Sequence, residues 1–261
     1  MGIPFILHIH GRDVQEFNNF SLNEKTTIKQ IFNEADGIIC NSVKTRNLLL
    51  NIIGKHRNVV IIPFGVEQNS SKVSKSNTLK IISVCNLVAV KSIDTVLRAL
   101  GLLKNRYRFE YHIIGDGPEF KKLVDLSNEL HLNEIVKFHG RLDNEDILRT
   151  LPSFDIFVLP SINEAFGIAY LEALAAGLPC IAVEGQGCLD IDPNSQAILY
   201  TKPSDEVDLS AKIEELIVNN DKRGEMSANA KQIVLEKYNW EKIVEEYCSF
   251  YKRTIERNPT D

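Results

Sequence analysis

The chain repeats one pattern: a short apolar run, then a segment with helical period. The runs are PFILHI, GIIC and NVVIIP in the first quarter, then LKIISV, FEYHIIG, IVKFHG, DIFVLP, PCIAV and AILY. Most of them lack the polar alternation of a sheet with one wet face, so both faces of the strands need cover. The segments between them supply it, among them EKTTIKQIFNEA, SVKTRNLLLNI, SIDTVLRALGLLKN, PEFKKLVDLSNEL, NEDILRTLPS and FGIAYLEALAAG. Strands joined through helices pair in parallel. The expected fold is doubly wound α/β, with parallel sheets covered on both sides. Asn41 or Ser42 suits the N-cap of the second helix, and Gly177 with Pro179 ends the helix before PCIAV.

The pattern breaks once. The stretch EQNSSKVSKSNT is polar, serine-rich and aperiodic, and residues 66–78 read as a linker. Residues 1–65 then form one part with three strands, and residues 79–240 a second part with the remaining six. Residues 241–261 lie in a closing helix that begins with WEKIVEEY. A parallel sheet of three strands leaves an edge and a face open. Self-association, or a partner chain docked on that sheet, is therefore expected.

Composition removes several function classes. Apolar residues make up 44% of the 261 positions, charged ones 25%, and the net charge is −5. A nucleic-acid binder would carry a basic stripe, so no nucleic-acid partner is expected. No apolar run is long enough to span a bilayer. MGIPFILHIHGRD lacks a basic leader and a small-residue cleavage site, and reads as a buried strand of a cytoplasmic protein. Five scattered cysteines without CxxC spacing read as free thiols, and no metal site is expected from them or from the pair His8 and His10.

One stretch carries chemistry. In SINEAFGIAYLEALAAGLP, Glu164 and Glu172 stand eight positions apart, the first before a helix and the second inside it. The loop follows the strand DIFVLP, and ligands of doubly wound sheets sit at the carboxyl ends of strands. A helix start offers unpaired N–H groups, which suit a phosphate or a sugar oxygen. Gly167 permits close approach to the backbone. Glu172 can accept from both hydroxyls of a ribose, and Glu164 from a hydroxyl at the other end of the same ligand. Taken singly, each would be an ordinary solvated charge. Paired around Phe166-Gly167, they read as a binding site.

The same stretch resembles the E-x7-E motif of the retaining GT-B glycosyltransferases of the family 4 (group 1) type. SVCNLVAVKSIDTVLRAL, HIIGDGPEFKKL, VKFHGRL and YNWEKIVEEY follow in that family's order. The resemblance implies a GT-B-like architecture, with a complete Rossmann-like C-terminal domain and an N-terminal domain of which residues 1–65 look like the second half. It implies that Glu172 holds the nucleotide ribose and Glu164 the donor sugar. Backbone amides of Phe166, Gly167 and Ile168 would face the sugar and diphosphate, and the main chain of Arg141 and Leu142 the base. Gly115, in the turn GDGPEF, would lie against the donor. Lys91 would pair with the diphosphate, and His10 would stand beside the transferred sugar. His8 reads as structural. The catalytic set is then His10, Lys91 and Glu164.

Two departures stand out. The family shows arginine five positions before the lysine and glycine after it, where this chain has Asn86 and Ser92. Asn86 brings no charge, and a lost charge-assisted contact costs roughly 1.5–3 kcal/mol. Asp190 and Asp192 imitate a metal-binding DxD motif but lack its sheet context. The implied donor is a nucleotide diphosphate sugar of UDP or GDP type, with no cofactor. The implied acceptor is a glycan or a lipid-linked sugar, the latter with peripheral contact at the inner membrane face. The alternative is a non-catalytic nucleotide-sugar-binding subunit that needs a partner chain.

Overall fold

A computed structural model describes residues 4–56, 58–67 and 78–257. Its elements run β1 (Ile6–Ile9), α1 (Arg12–Gln15), α2 (Leu22–Glu34), β2 (Gly37–Cys40), α3 (Val43–Ile53) and β3 (Val59–Ile61). Then come β4 (Leu79–Val84), α4 (Ile93–Leu103), β5 (Phe109–Ile114), α5 (Phe120–Glu129), β6 (Val136–Phe138) and α6 (Asn144–Thr150). The chain ends with β7 (Ile156–Leu159), α7 (Ile168–Ala175), β8 (Cys180–Val183), β9 (Ile198–Thr201), α8 (Glu206–Val218), α9 (Asn220–Ile233) and α10 (Trp240–Arg257). All nine apolar runs are strands, and every strand pair is parallel. The linker expected at 66–78 falls mostly outside the described residues.

The chain divides into two compact units. One comprises Met1–Gly65, Ala165–Gly167 and Lys237–Asp261, the other Val66–Glu164 and Ile168–Glu236. In the first, the sheet order is β1-β2-β3. Ile38, Cys40 and Leu49 pack with Phe32 on one side of the sheet. Ile39 and Ile62 pack with Ile243 and Phe250 of α10 on the other. Gly37 makes room there, since a Cβ on it would lie 2.8 Å from the Phe250 ring. Asn58 fastens the same helix, its amide donating to Thr254 Oγ1 at 3.0 Å and to Asp36 O at 2.7 Å. Ser42 is the N-cap of α3, accepting from Thr45 N–H at 3.0 Å.

In the second unit the order is β6-β5-β4-β7-β8-β9. The chain builds outward from β4 through β5 to β6, then crosses back and builds the other way from β7. The loops after β4 and β7 therefore leave neighbouring strands in opposite senses, which opens a space at the carboxyl edge of the sheet. Every residue of β7 and β8 is buried, as helices on both faces require. α7 closes in a Schellman arrangement, with Leu178 N–H donating to Ala173 O and Gly177 N–H to Leu174 O, both at 2.9 Å. α9 runs directly into a π-helical turn over Val234–Tyr238. The next helix starts afresh because Asn239 accepts from Lys242 N–H at 2.9 Å and caps α10.

Candidate functional site

The switch in strand order places the loops after β4 and β7 side by side. After β4 the chain makes a turn over Ala89–Lys91, and Ser92 then takes a left-handed φ of 51° before α4 begins. Glycine is the usual residue for such a backbone, so serine here stores strain. Ile162 N–H donates to Val90 O at 2.9 Å and ties the β7 loop to that turn. The tie brings Lys91 Nζ within 2.7 Å of Glu164 Oε2, and both side chains are largely buried, at 21% and 15% exposure. Glu164 is held by its backbone too. Its N–H donates to Gln186 Oε1 at 3.2 Å, and its carbonyl accepts from Gly187 N–H at 3.1 Å. Gln186 positions Glu164, and nothing in its local pattern announced this; only its place just after β8 would have suggested it.

A pocket of about 350 Å³ opens at the ends of β4 and β5, lined among others by Asn86, Gly115, Asp116, Arg141 and Leu142. Gly115 is obligatory in it. Its φ is 141°, and a Cβ would lie 1.8 Å from Cys85 O. Its N–H donates to Gly140 O at 2.8 Å, which anchors the loop bearing Arg141 and Leu142. Burial pushes the Cys85 thiol up to about 12, so it is no thiolate nucleophile.

Glu172 lies in the second turn of α7, half-buried. It makes no hydrogen bond or ion pair through its carboxylate among the described residues, and burial raises its pKa. A half-buried carboxylate without a partner costs stability.

In the first unit, Phe166 is buried, edge-on to Phe64 at 5.7 Å and tilted against Tyr238 at 6.2 Å. The His10 ring is stacked on the same Phe64 at 5.2 Å and remains exposed. Asp13 Oδ2 accepts from His10 N–H at 3.2 Å, and Asn41 Nδ2 donates to His10 O at 2.9 Å. Ser42 Oγ donates to Ala165 O at 2.6 Å. Gly167 has a φ of 98°, and Ile168, the first residue of α7, is exposed. His8 is engaged elsewhere, stacked on Tyr247 at 5.4 Å with its Nε2 2.9 Å from Tyr251 OH.

Asn86, Gly115, Arg141 and Leu142 thus share one pocket, Lys91 and Glu164 share one ion pair, and His10 and Phe166 share one aromatic neighbour. Among the described residues, the Glu172 carboxylate is bonded neither to the pocket residues nor to the ion pair. Asp192 is spent on structure, accepting from Ala197 N–H at 2.6 Å and Ile198 N–H at 2.8 Å.

The model of the family Glycosyl transferases group 1 matches residues 66–233, more than half of the chain, and the chain belongs to that family. It is 28% identical over 171 residues to the N-acetyl-alpha-D-glucosaminyl L-malate synthase of Bacillus anthracis, covering 66% of this chain and 44% of that protein. It is 27% identical to a GDP-mannose-dependent monoacylated alpha-(1-6)-phosphatidylinositol monomannoside mannosyltransferase of Corynebacterium glutamicum, covering 90% of this chain and 66% of that one. The chain thus spans about half to two thirds of the length of these curated relatives. Among solved structures, Anabaena Alr3699/HepE in complex with UDP superposes with a TM-score of 0.85 at 19% identity, over 96% of this chain and 72% of that one. Sucrose-phosphate synthase of Thermosynechococcus elongatus superposes with a TM-score of 0.85 at 21% identity, over 98% and 69%. The fold is α/β of the GT-B-like class.

Proposed function

We propose that the chain transfers a hexose-type sugar from a nucleotide diphosphate sugar to a glycan or lipid-linked acceptor, with retained anomeric configuration, in surface polysaccharide or glycoconjugate synthesis. The observation that carries this reading is the buried pair of Lys91 and Glu164 at the strand-order switch, in a chain of this family. Lys91 would neutralise the diphosphate, and the amides of Phe166, Gly167 and Ile168 would supply donors at the start of α7. Glu172, unpartnered, would accept from the ribose hydroxyls, and Glu164 would hold the sugar. Arg141 and Leu142 would meet the base through their main chain, beside Gly115 and Asn86. His10 would stand by the transferred sugar. Stabilisation of the leaving diphosphate then supplies most of the rate, and the diphosphate itself takes the acceptor proton, so no protein nucleophile takes part. The relatives support a donor of UDP or GDP type, since one is named for GDP-mannose and one neighbour was solved with UDP.

Asn86 favours a second reading, a nucleotide-sugar-binding subunit without transfer, because the family's arginine is missing. Calorimetry with UDP and GDP, with and without EDTA, tests binding, and labelled UDP- or GDP-sugar tests transfer. Metal-independent binding together with transfer supports the enzyme. Binding without transfer to any acceptor supports the subunit. Binding abolished by EDTA would overturn the metal-free reading, and no binding of either nucleotide would overturn both.

A further inference from the structure

A chain of side-chain hydrogen bonds links β5 to the edge strand β6 of the six-stranded sheet. Glu110 and His112 alternate on β5, and His112 is in register with Lys137 of β6. Lys137 and His139 therefore share their face. His112 Nε2 lies 3.0 Å from Glu110 Oε2, and its Nδ1 lies 2.8 Å from His139 Nε2. Lys137 Nζ donates to the same Glu110 oxygen at 2.8 Å. The imidazoles are stacked at 5.0 Å, and Phe154 stands edge-on to His112 at 4.9 Å. His112 is 8% exposed, whereas His139 opens to solvent. No three His, Cys, Asp or Glu among the described residues are arranged to hold a metal, so the cluster calls for another use.

The chemistry assigns the protons. Lys137 first, then His112, hold the Glu110 carboxyl below its usual range, so it is ionised and only accepts. His112 Nε2 must carry the hydrogen and donate to it. His112 Nδ1 is then a lone pair and accepts from His139 Nε2–H. The residues that follow His139 are those of the pocket loop. His139 N–H donates to Ile113 O at 2.9 Å, Gly115 N–H donates to Gly140 O at 2.8 Å, and Arg141 and Leu142 line the pocket.

We propose that Glu110, His112 and His139 form a positioning relay that ties the nucleotide-facing loop Gly140–Leu142 to β5, and that the loop is released when both imidazoles carry a proton. This rests on the reading of the pocket as a nucleotide site. One proton on the outer Nδ1 of His139 leaves the bond intact and charge-assisted. A second, on His112 Nδ1, removes the lone pair, and two N–H groups meet head on. The charges acting on His112 are those of Glu110, His139 and Lys137, and on His139 that of Lys137. Lys80, in register with Glu110, and Asp155, which accepts from Lys80 N–H at 2.9 Å, carry the next charges along the face. Burial holds both imidazoles below their ordinary range, so the relay is intact near neutrality and opens only in acid.

His139 is exposed, so its variants should fold. In His139→Gln the amide donates to His112 Nδ1 and can turn its oxygen toward a protonated ring. Calorimetry with UDP and GDP at about pH 7.5 and about pH 5 reads the relay through the pocket. The nucleotide's own phosphate titrates equally in all variants and cancels. His139→Gln should match the native affinity at the higher pH and lose less of it in acid. His139→Leu should bind roughly two- to tenfold more weakly at the higher pH and show little relay-linked fall. Hydrogen exchange at Gly140–Leu142, taken relative to the intrinsic amide rate at each pH, reads the relay without ligand, and should quicken in His139→Leu and in the acidified native protein. Unchanged exchange in both overturns the relay whatever the nucleotide result. Quickened exchange in a protein that binds neither nucleotide leaves the relay standing and sinks the pocket assignment.

Discussion

The two sheets obey the same sequence rule and reach burial by different routes. In the six-stranded sheet, β7 and β8 are covered on both faces by helices of the same unit, and the candidate pocket grows from loops at adjacent strand ends. In the three-stranded sheet only β2 is buried throughout, while β1 and β3 are edges with half-exposed residues. One of its faces is closed by α10, which arrives from the far end of the sequence. Local patterning therefore specifies the larger sheet almost alone, whereas the smaller one depends on a contact of large sequence separation.

Phe250→Ala tests that dependence most severely. The ring is 1% exposed and fills the space over Gly37. Its loss should cost about 3–5 kcal/mol, read as faster hydrogen exchange at Ile38–Cys40 with exchange at Ile156–Leu159 unchanged. Equal loosening of both strands would show that the units do not differ in what holds them.

Next in size is the removal of Glu172. If its carboxylate receives two ribose hydroxyls, Glu172→Ala should weaken UDP or GDP by roughly ten- to a hundredfold, measured by calorimetry. Glu164→Ala should leave bare nucleotide nearly untouched, or tighten it by freeing Lys91 from the 2.7 Å ion pair, while lowering turnover. An equal loss of bare nucleotide in both variants would reverse the assignment of ligand ends.

The fold was legible because strand runs such as IFVL are apolar throughout and bounded by breakers, here Asp155 and Pro160. The missed elements were those set by geometry beyond the local pattern. α1 has four residues and no period to read. The π-helical turn continues a helical pattern with a different hydrogen-bond spacing. Within the site, the pairing of Lys91 with Glu164 was invisible, since 73 positions separate them and only the crossing from β6 to β7 brings them together. Gln186, the acceptor for Glu164 N–H, lies 22 positions away on the loop after another strand, where no spacing rule links the two. The histidine relay was missed because His112 and His139 lie on different strands, and no spacing rule links them.

Asn86→Arg comes third. Asn86 lines the pocket, is exposed, and is held by no side-chain hydrogen bond among the described residues. A guanidinium there should tighten nucleotide diphosphate severalfold and make binding more sensitive to salt, because a new surface charge is screened. Dissociation constants at low and high salt test this. An unchanged affinity would mean that the diphosphate does not pass Asn86.

The smallest effect is the most specific to the site. Burial raises the pKa of Glu172, so the folded state binds its proton more tightly than the unfolded chain does. Below the unfolded value the group costs nothing, and the cost grows as pH rises through the raised folded value and is complete above it. Glu172→Gln removes the charge and keeps the shape. It should therefore raise the melting temperature near pH 7. The gap from the native protein should close as pH falls toward about 4. The same variant should bind nucleotide less well at neutral pH, because an amide oxygen is a weaker acceptor than a carboxylate. Gain of stability with loss of binding is the signature of a residue kept for its ligand at the expense of the fold. A Gln variant that is less stable at neutral pH would show that Glu172 serves the fold after all.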